Sequence, residues 1–141
     1  TIVTCRDADG TRVGLTANSF NSLSLDPPLI LWSLRANSQT LVAFRSASHF
    51  AVNVLAESQV ELSRRFASRV LDKFAEGLWS VGLGGAPVLS GCAAVLECER
   101  VDERTVGDHV LFIGRVRQLF EAPLPPLVFQ SGRYHLLGEI L

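Results

Sequence analysis

Strand-length runs of β-branched and apolar residues, separated by turn-forming residues, are the feature that most limits how this chain can fold. Such runs begin at Thr1, Thr11, Leu29, Phe50, Cys92, Asp108 and Arg133. Only two short segments, residues 39–46 and 58–70, have the capping residues and apolar spacing of helices. Six or seven strands with so few helices exclude a doubly wound α/β fold. The pattern instead predicts a mainly β protein, a closed antiparallel barrel whose ends are covered by two or three short helices.

The boundaries of several elements can be predicted from turn residues. Residues 1–5 and 11–16 form a predicted hairpin around the Asp9-Gly10 turn, and residues 29–34 and 50–55 are predicted buried strands. The remaining predictions are a polar connection at 17–26, an irregular loop at 72–91, strands at 92–100 and 108–119 with a turn at 101–107, and short strands at 127–130 and 133–141.

The composition excludes several classes of protein. With 141 residues the chain has the size of one ordinary domain, and we expect residues 1–141 to form a single domain. Hydrophobic residues make up 48% and charged residues 19%, which excludes a disordered chain. The formal net charge is -1 and the sequence contains no cluster of Lys or Arg, so neither nucleic acid nor an acidic membrane is an expected partner.

The chain is expected to be cytoplasmic. No apolar run approaches the ~20 residues that span a bilayer, and residues 1–10 lack the layout of a signal peptide. Cys92 and Cys98 are predicted to lie too far apart along one strand for a disulfide, and Cys5 has no obvious partner. No Cys/His spacing suits a metal. We therefore expect three buried thiols in a reducing compartment, no metal, and a small molecule or another protein as partner.

The sequence motifs of several large enzyme classes are absent. There is no G-x-S-x-G nucleophile turn, no G-x-x-x-x-G-K-[ST] phosphate loop, no H-E-x-x-H metal motif and no G-x-G-x-x-G opening a helix. The glycine-rich residues 81–85 follow no strand-then-helix pattern. They are therefore interpreted as a loop and not as a dinucleotide site.

A first polar cluster lies between the second and third predicted strands. Hydroxyl and amide groups stand at Thr16, Asn18, Ser19, Asn21, Ser22 and Ser24. Such a segment is either a solvated loop with Asx and Ser turns or a polar rim at the mouth of a barrel. In the second interpretation, side chains and backbone N–H groups would meet a flat heterocycle that carries carbonyls and ring nitrogens.

A second polar cluster lies between a predicted buried strand and a helix start. It consists of Ser33, Arg35, Asn37, Ser38 and Thr40. Hydroxyls, one guanidinium and free helix N-terminal N–H groups are what a phosphate monoester needs. The alternative is that Asn37 or Ser38 simply caps the helix.

The two clusters together resemble the signature of a known family. Residues 16–29, Thr-Ala-Asn-Ser-Phe-Asn-Ser-Leu-Ser-Leu-Asp-Pro-Pro-Leu, and residues 107–114, Gly-Asp-His-Val-Leu-Phe-Ile-Gly, are similar to two motifs of the flavin reductase-like domain. Further matches in the same order are residues 50–55, 66–67, 72–74, 126–129 and 132–135. The family contains the short-chain FMN/FAD reductases that supply reduced flavin to two-component monooxygenases, and the resemblance covers essentially the whole chain.

The resemblance implies an FMN-binding split barrel, a Greek-key antiparallel barrel that forms a homodimer and binds flavin without a Rossmann motif. It implies that the isoalloxazine and ribityl chain contact Thr16, Ala17, Asn18, Ser19, Phe20, Ser22 and Ser24. It implies that the ribityl-phosphate end contacts Ser33, Leu34, Arg35, Ala36, Asn37, Ser38 and Thr40, with the Ser38 and Thr40 hydroxyls as donors. Lys73 and Phe74 match positions close to the flavin phosphate or its adenylate extension.

The resemblance also implies a nicotinamide site. Three residues match positions near the nicotinamide nucleotide, namely His109, Tyr134 and His135. The alternative for His109 is a structural role, which is usual for a single histidine on a strand. No residue is expected to act as a catalytic acid or base. Relatives usually carry an N-terminal helix before the strand that begins here at Thr1, so a trimmed start is expected.

The implied function is NAD(P)H-dependent flavin reduction, by hydride transfer from nicotinamide C4 to N5 of FMN or FAD, with a monooxygenase component as the user of the product. A non-enzymatic flavin carrier or electron-transfer module on the same barrel is the alternative. An oxidase of the pyridoxamine-phosphate type would need a basic phosphate site, and the sequence contains no cluster of basic residues. In the implied homodimer, some of Phe44, Phe112, Phe120 and Phe129 are expected to become buried only on dimerisation.

Overall fold

β-Strands make up most of the regular structure, and both α-helices are short. The computed structural model describes residues 1–141. The strands are β1 (Ile2–Arg6), β2 (Arg12–Thr16), β3 (Asn21–Ser24), β4 (Leu29–Arg35), β5 (His49–Val54), β6 (Trp79–Val81), β7 (Pro87–Leu89), β8 (Ala94–Val106), β9 (His109–Glu121), β10 (Val128–Gln130) and β11 (Arg133–His135). The helices are α1 (Leu41–Ser46) and α2 (Val60–Phe66), and 3-10 turns lie at Glu57–Gln59, Lys73–Ala75 and Leu83–Gly85. The longer helix has seven residues, so neither could span a bilayer.

Seven strands form one antiparallel sheet in the order β2-β1-β5-β8-β9-β4-β3, which confirms the predicted mainly β class. The pairs β6–β7 and β10–β11 form two small sheets of their own. No ladder joins the edge strands β2 and β3, so the expectation of a closed barrel is wrong at this seam. The physical reason is that β3 has only four residues, is displaced by a register shift between Ser22 and Ser24, and pairs with β4 alone.

Aromatic side chains fill the interior in two clusters. In the larger cluster, Trp32 stacks on Phe112 with ring centres 5.1 Å apart and meets the edge of Phe44 of α1 at 4.8 Å. In the smaller cluster, Phe66 of α2 meets the Phe74 ring at 5.0 Å. Such edge-on and offset contacts add to the free energy gained by burial, and they fix both helices against the sheet.

The longest elements are the 13-residue strands β8 and β9. β8 continues to Val106, so the predicted turn over 101–107 is wrong and the real turn is Gly107–Asp108. The outer half of β8 carries Asp102 and Arg104 and has no apolar alternation. β9 nevertheless pairs with it down to Val106 opposite His109, and backbone hydrogen bonding therefore makes this half a strand.

Three further boundaries differ from the sequence prediction. β3 lies inside the predicted polar connection 17–26, and β6–β7 lies inside the predicted loop 72–91. The last strand ends at His135, because only residues 133–135 have partners in β10. The predicted hairpin at the start of the chain is confirmed, with Gly10 at φ 83° in its turn.

All three cysteines are free and buried, which confirms the prediction of buried thiols. Cys92 precedes the first residue of β8, so the prediction that it shares a strand with Cys98 is wrong. Burial raises the pKa of the Cys5 and Cys98 thiols to about 12 and that of Cys92 to about 11.

Candidate flavin and nicotinamide site

An open cleft of about 860 Å³ lies where the connection between β2 and β3 faces the end of β4. From the first polar cluster, its lining includes Thr16, Asn18 and Ser19, together with Ala17 between them. From the second polar cluster, it includes Ser33, Arg35, Asn37 and Ser38, together with Leu34. His109, at the start of β9, lines it as well. The structure thus brings together residues that belong to three separate segments of the sequence.

Two hydrogen bonds join the two polar clusters. The Ser19 hydroxyl donates to the Ser33 carbonyl at 2.9 Å, and its oxygen accepts the Ser33 N–H at 2.9 Å. The register of the β3–β4 pair, with Asn21 opposite Leu31, brings Ser19 opposite Ser33. The Ser19 side chain therefore continues the hydrogen bonding of the β3–β4 pair beyond β3. It fixes the β2–β3 connection against β4.

Backbone N–H groups without partners stand along the same cleft. The N–H groups of Asn18 and Ser19 make no hydrogen bond within the protein, and neither does that of Asn37. Consecutive free N–H groups are suited to oxygen acceptors such as ring carbonyls or a phosphate. The cleft is therefore a site of unsatisfied donors, which a ligand with several acceptors would satisfy.

Ser38 lies at the wall of the cleft, just before α1. Its oxygen accepts the Thr40 N–H at 3.3 Å and lies 2.9 Å from the Thr40 hydroxyl. α1 begins at Leu41 with Thr40 at its N-cap position and without a side-chain cap, so the predicted cap at Asn37 or Ser38 is wrong. Ser38 instead closes the turn that precedes the helix.

His109 is held at the cleft by strand pairing and by a carboxylate. It stands opposite Arg35 in the β4–β9 ladder, and its Nδ1 lies 2.7 Å from the Asp108 Oδ1. The hydrogen bond from His109 lowers the pKa of Asp108 below its ordinary value, and electrostatic interactions with His109 and Arg35 add to this effect. A carboxylate at Nδ1 orients the imidazole and leaves Nε2 available to a ligand.

Several predicted site residues lie outside the lining of this cleft. Phe20 packs against the larger aromatic cluster, and Ser22 and Ser24 lie on the edge strand β3. The Ala36 N–H donates to the Asp108 carbonyl at 2.9 Å, so Ala36 stabilises the wall without lining it.

Thr40, Lys73 and Phe74 line a neighbouring cavity of about 470 Å³, together with Arg12. The Arg12 guanidinium lies 4.9 Å from the centre of the Phe74 ring. The Lys73 ammonium donates to the Phe66 carbonyl at 3.1 Å, and partial burial lowers the pKa of Lys73. The lining also includes the Asp72 carboxylate. The two cations, the Thr40 hydroxyl and the aromatic ring are groups that suit a phosphate with an attached base.

Tyr134 lines a third cavity of about 260 Å³, whose walls include Thr16, Ala17 and Asn18 of the cleft. Its hydroxyl lies 2.9 Å from the Ser63 hydroxyl of α2. His135, the next residue along β11, is exposed. No group of His, Cys, Asp and Glu side chains could hold a metal ion.

Arg69 is a cleft residue that the sequence analysis did not identify. It follows α2 and lines the cleft together with Arg35, although the two lie far apart in the chain. Folding thus brings two arginines from separate segments into one lining. No sequence signal distinguishes Arg69, because the hydrogen bonds that close its loop correspond to no motif.

Residues 1–138 match the family model of the flavin reductase like domain. The chain belongs to this family. The resemblance found in residues 16–29 and 107–114 is therefore confirmed over nearly the whole length of the chain.

Relatives within the family carry names that describe reductases. A probable flavin reductase of Rhizobium meliloti is 45% identical over 134 residues, which are 95% of this chain and 43% of the relative. The reductase component of the flavin-dependent trigonelline monooxygenase of Acinetobacter baylyi is 40% identical over 133 residues, 94% of this chain and 43% of that protein. This chain therefore spans less than half the length of these two relatives.

A solved structure of the family has the same fold. The NADH:FAD oxidoreductase of Streptomyces globisporus, in complex with NAD and FAD fragments, superposes with a TM-score of 0.91 and is 33% identical. The match covers 97% of this chain and 83% of that chain. The antiparallel sheet and its few helices are therefore those of the family.

Proposed function

We propose that this chain is an NAD(P)H-dependent flavin reductase domain, in which a hydride passes from nicotinamide C4 to N5 of FMN or FAD. The observation that carries the proposal is the cleft of about 860 Å³, which is lined by hydroxyls, amides, free N–H groups and a histidine, and by no carboxylate or thiol. Hydride transfer between two rings needs positioning and charge stabilisation, and it needs no acid, base or nucleophile from the protein. The reductase names of the relatives support the proposal.

The residues of the cleft suit a flavin. Its ring presents carbonyl and ring-nitrogen acceptors, and the N–H groups of Asn18 and Ser19 are donors without a protein acceptor. We expect Ala17, Asn18 and Ser19 to hold the ring, and Arg35 and Ser38 to hold the phosphate end. Donors at fixed positions also stabilise negative charge that develops on a bound ring.

The two neighbouring cavities extend the proposed site. Lys73 and Phe74 would bind the flavin phosphate or an adenylate extension, because a cation and an aromatic ring line the same cavity. His109 and Tyr134 would bind the nicotinamide, and His135 is a further candidate beside Tyr134. The Asp108 carboxylate orients the His109 ring, so that Nε2 can make one hydrogen bond to the nucleotide.

A homodimer on a Greek-key split barrel completes the proposal. Of the four phenylalanines considered for the interface, Phe44 and Phe112 are buried within one chain. Phe120 and Phe129 are 59% and 41% exposed, and Leu119 beside Phe120 is 64% exposed. Leu119 and Phe120 belong to the half of β9 that β4 does not pair. An apolar, half-paired strand is a surface that a second copy would cover.

The proposal extends to the cellular setting of the protein. We propose a single domain over residues 1–141, a cytoplasmic location, and a monooxygenase component as the user of reduced flavin. The name of the Acinetobacter baylyi relative supports the last point. Neither nucleic acid nor a membrane is part of the proposal.

The deciding experiment mixes purified protein with NADH or NADPH and an excess of FMN or FAD, and follows the loss of reduced-nicotinamide absorbance. Turnover that depends on both nucleotides is the expected result. Tight flavin binding without nicotinamide oxidation would refute the reductase and favour the flavin carrier. Sedimentation at micromolar protein tests the homodimer, and a flavin-bound monomer would contradict it.

A further inference from the structure

Most arginines of this chain have a partner within the protein, and a few have none. Arg6 and Arg65 bond backbone carbonyls, Arg45 pairs with Glu103, and Arg117 pairs with Glu99. The arginines whose side chain makes no hydrogen bond, ion pair or contact with an aromatic face are Arg35, Arg69, Arg115 and Arg133. Two of these, Arg35 and Arg69, line the same cleft.

The cleft therefore contains two guanidinium groups that form no ion pair within the protein. No Asp or Glu lines it. The Asp108 carboxylate, which is hydrogen-bonded to His109, interacts electrostatically with Arg35. Arg69 forms no ion pair with a carboxylate. An anion bound in the cleft could interact favourably with both guanidinium groups.

The position of Arg69 is fixed by the bonds that close its loop. The Arg65 guanidinium donates to the carbonyls of Asp72 and Lys73, the latter at 3.0 Å. In return, the Lys73 ammonium donates to the Phe66 carbonyl at the end of α2 at 3.1 Å. Residues 67–72 are thereby held as a loop closed at its base, and Arg69 projects from it into the lining of the cleft.

We propose that Arg69 binds a phosphate group of a nucleotide in the cleft, opposite Arg35. The proposal rests on the proposed function, which places phosphate-bearing nucleotides there. A guanidinium matches a phosphate because its planar fork of N–H donors can bond two oxygens at once. The phosphate belongs either to the flavin or to the nicotinamide dinucleotide, and both sources share this chemistry.

The test compares Arg69→Gln with the wild type in three measurements. These are the Kd of FMN, the Kd of riboflavin, which lacks the phosphate, and the KM for NADH. Arg115→Gln is the matched control, because Arg115 is also exposed and unpartnered but lies on β9 outside the cleft lining. It removes the same net charge. Arg69→Lys keeps the charge and loses the fork, so it should recover only part of the binding.

A partly exposed, charge-assisted bond predicts a loss of roughly 5- to 10-fold in affinity. If the flavin phosphate is bound, FMN weakens by this factor and riboflavin does not. If the dinucleotide phosphate is bound, the KM for NADH rises instead and both flavin Kd values stay unchanged. In either case the difference from the wild type should shrink in 1 M salt, where the Debye length is about 3 Å.

Two results would overturn the inference. One is a functional wild type whose FMN Kd and NADH KM are unchanged by Arg69→Gln. The other is an equal loss of riboflavin and FMN, which would mean that Arg69 supports the ring or the loop and does not contact a phosphate. A wild type that neither binds flavin nor oxidises NADH would refute the proposed function itself, and the inference with it.

Discussion

Ser19 is the residue whose removal tests most directly how the cleft is built. Its hydroxyl makes both hydrogen bonds that join the β2–β3 connection to Ser33 of β4. Ser19→Ala removes both bonds and introduces no larger group. It leaves the Ser33 N–H and carbonyl exposed to water, so neither becomes a buried unsatisfied group.

The size of the effect follows from these two bonds. A net contribution of about 0.5–1.5 kcal/mol per bond, taken at its lower end because water replaces the lost partner, gives about 1 kcal/mol in the free energy of unfolding. With an m-value of about 1–3 kcal/mol/M in urea, the midpoint should fall by roughly 0.3–1 M while m stays constant. Since the connection also carries the free N–H groups of the cleft, flavin affinity should fall several-fold.

Urea titration followed by tryptophan fluorescence measures the first effect, because Trp32 is fully buried in the larger core cluster. Flavin fluorescence quenching measures the second effect. Ser58→Ala is the control, since Ser58 is exposed and its side chain makes no hydrogen bond. An unchanged midpoint together with an unchanged flavin Kd in Ser19→Ala would refute the idea that this residue holds the cleft together.

Three other predictions concern nicotinamide binding, packing and thiol reactivity. His109→Ala should raise the KM for NAD(P)H by about 2- to 12-fold, the worth of one hydrogen bond, and should change the flavin Kd by less than about twofold; a loss of flavin affinity at constant KM would reverse this assignment. Gly114→Ala should lower the free energy of unfolding by about 1–3 kcal/mol in a urea titration, because a Cβ there would collide with the Phe50 ring. An unchanged free energy of unfolding in that variant would contradict this prediction, because it would show that neighbouring core side chains can move to accommodate the Cβ. Ellman's reagent at pH 8 should label no thiol of the native protein and all three after unfolding, since burial raises the pKa of each; rapid labelling of the native protein would contradict the burial of Cys5, Cys92 and Cys98.

The parts of the fold that could be predicted from sequence are those specified by local pattern. The first hairpin has a turn with glycine at positive φ, and the strand at residues 50–55 is apolar except at Asn53. The outer half of β8 could not be predicted, because residues 101–106 are mostly exposed and are ordered by pairing with β9. Side-chain periodicity carries no information where neither face of a strand is buried.

The candidate site also combines residues that the sequence identifies with residues whose position only the folded structure shows. Ser19 and Ser33 belong to two separate clusters in the sequence that only the family resemblance joins, and the β3–β4 hairpin, which the sequence did not predict, shows why they lie together. His109 joined them only through the family motif, and the β4–β9 ladder shows why it lies there. Arg69 could not be found, because the bonds that close its loop, from the Arg65 side chain to the Asp72 and Lys73 carbonyls, leave no pattern in the sequence.

The order of strands in the sheet also has a consequence for folding kinetics. The ladders β1–β2, β3–β4 and β8–β9 join strands that follow each other in the chain, whereas β1–β5, β5–β8 and β4–β9 join strands far apart in sequence. Long-range ladders form slowly, because the entropy of closing a long loop must be offset first. The β4–β9 ladder brings Arg35 opposite His109, so the two walls of the cleft meet only when this ladder forms. We therefore expect the cleft to be incomplete until the β4–β9 ladder has formed, and a bound nucleotide, which needs both walls, to slow unfolding.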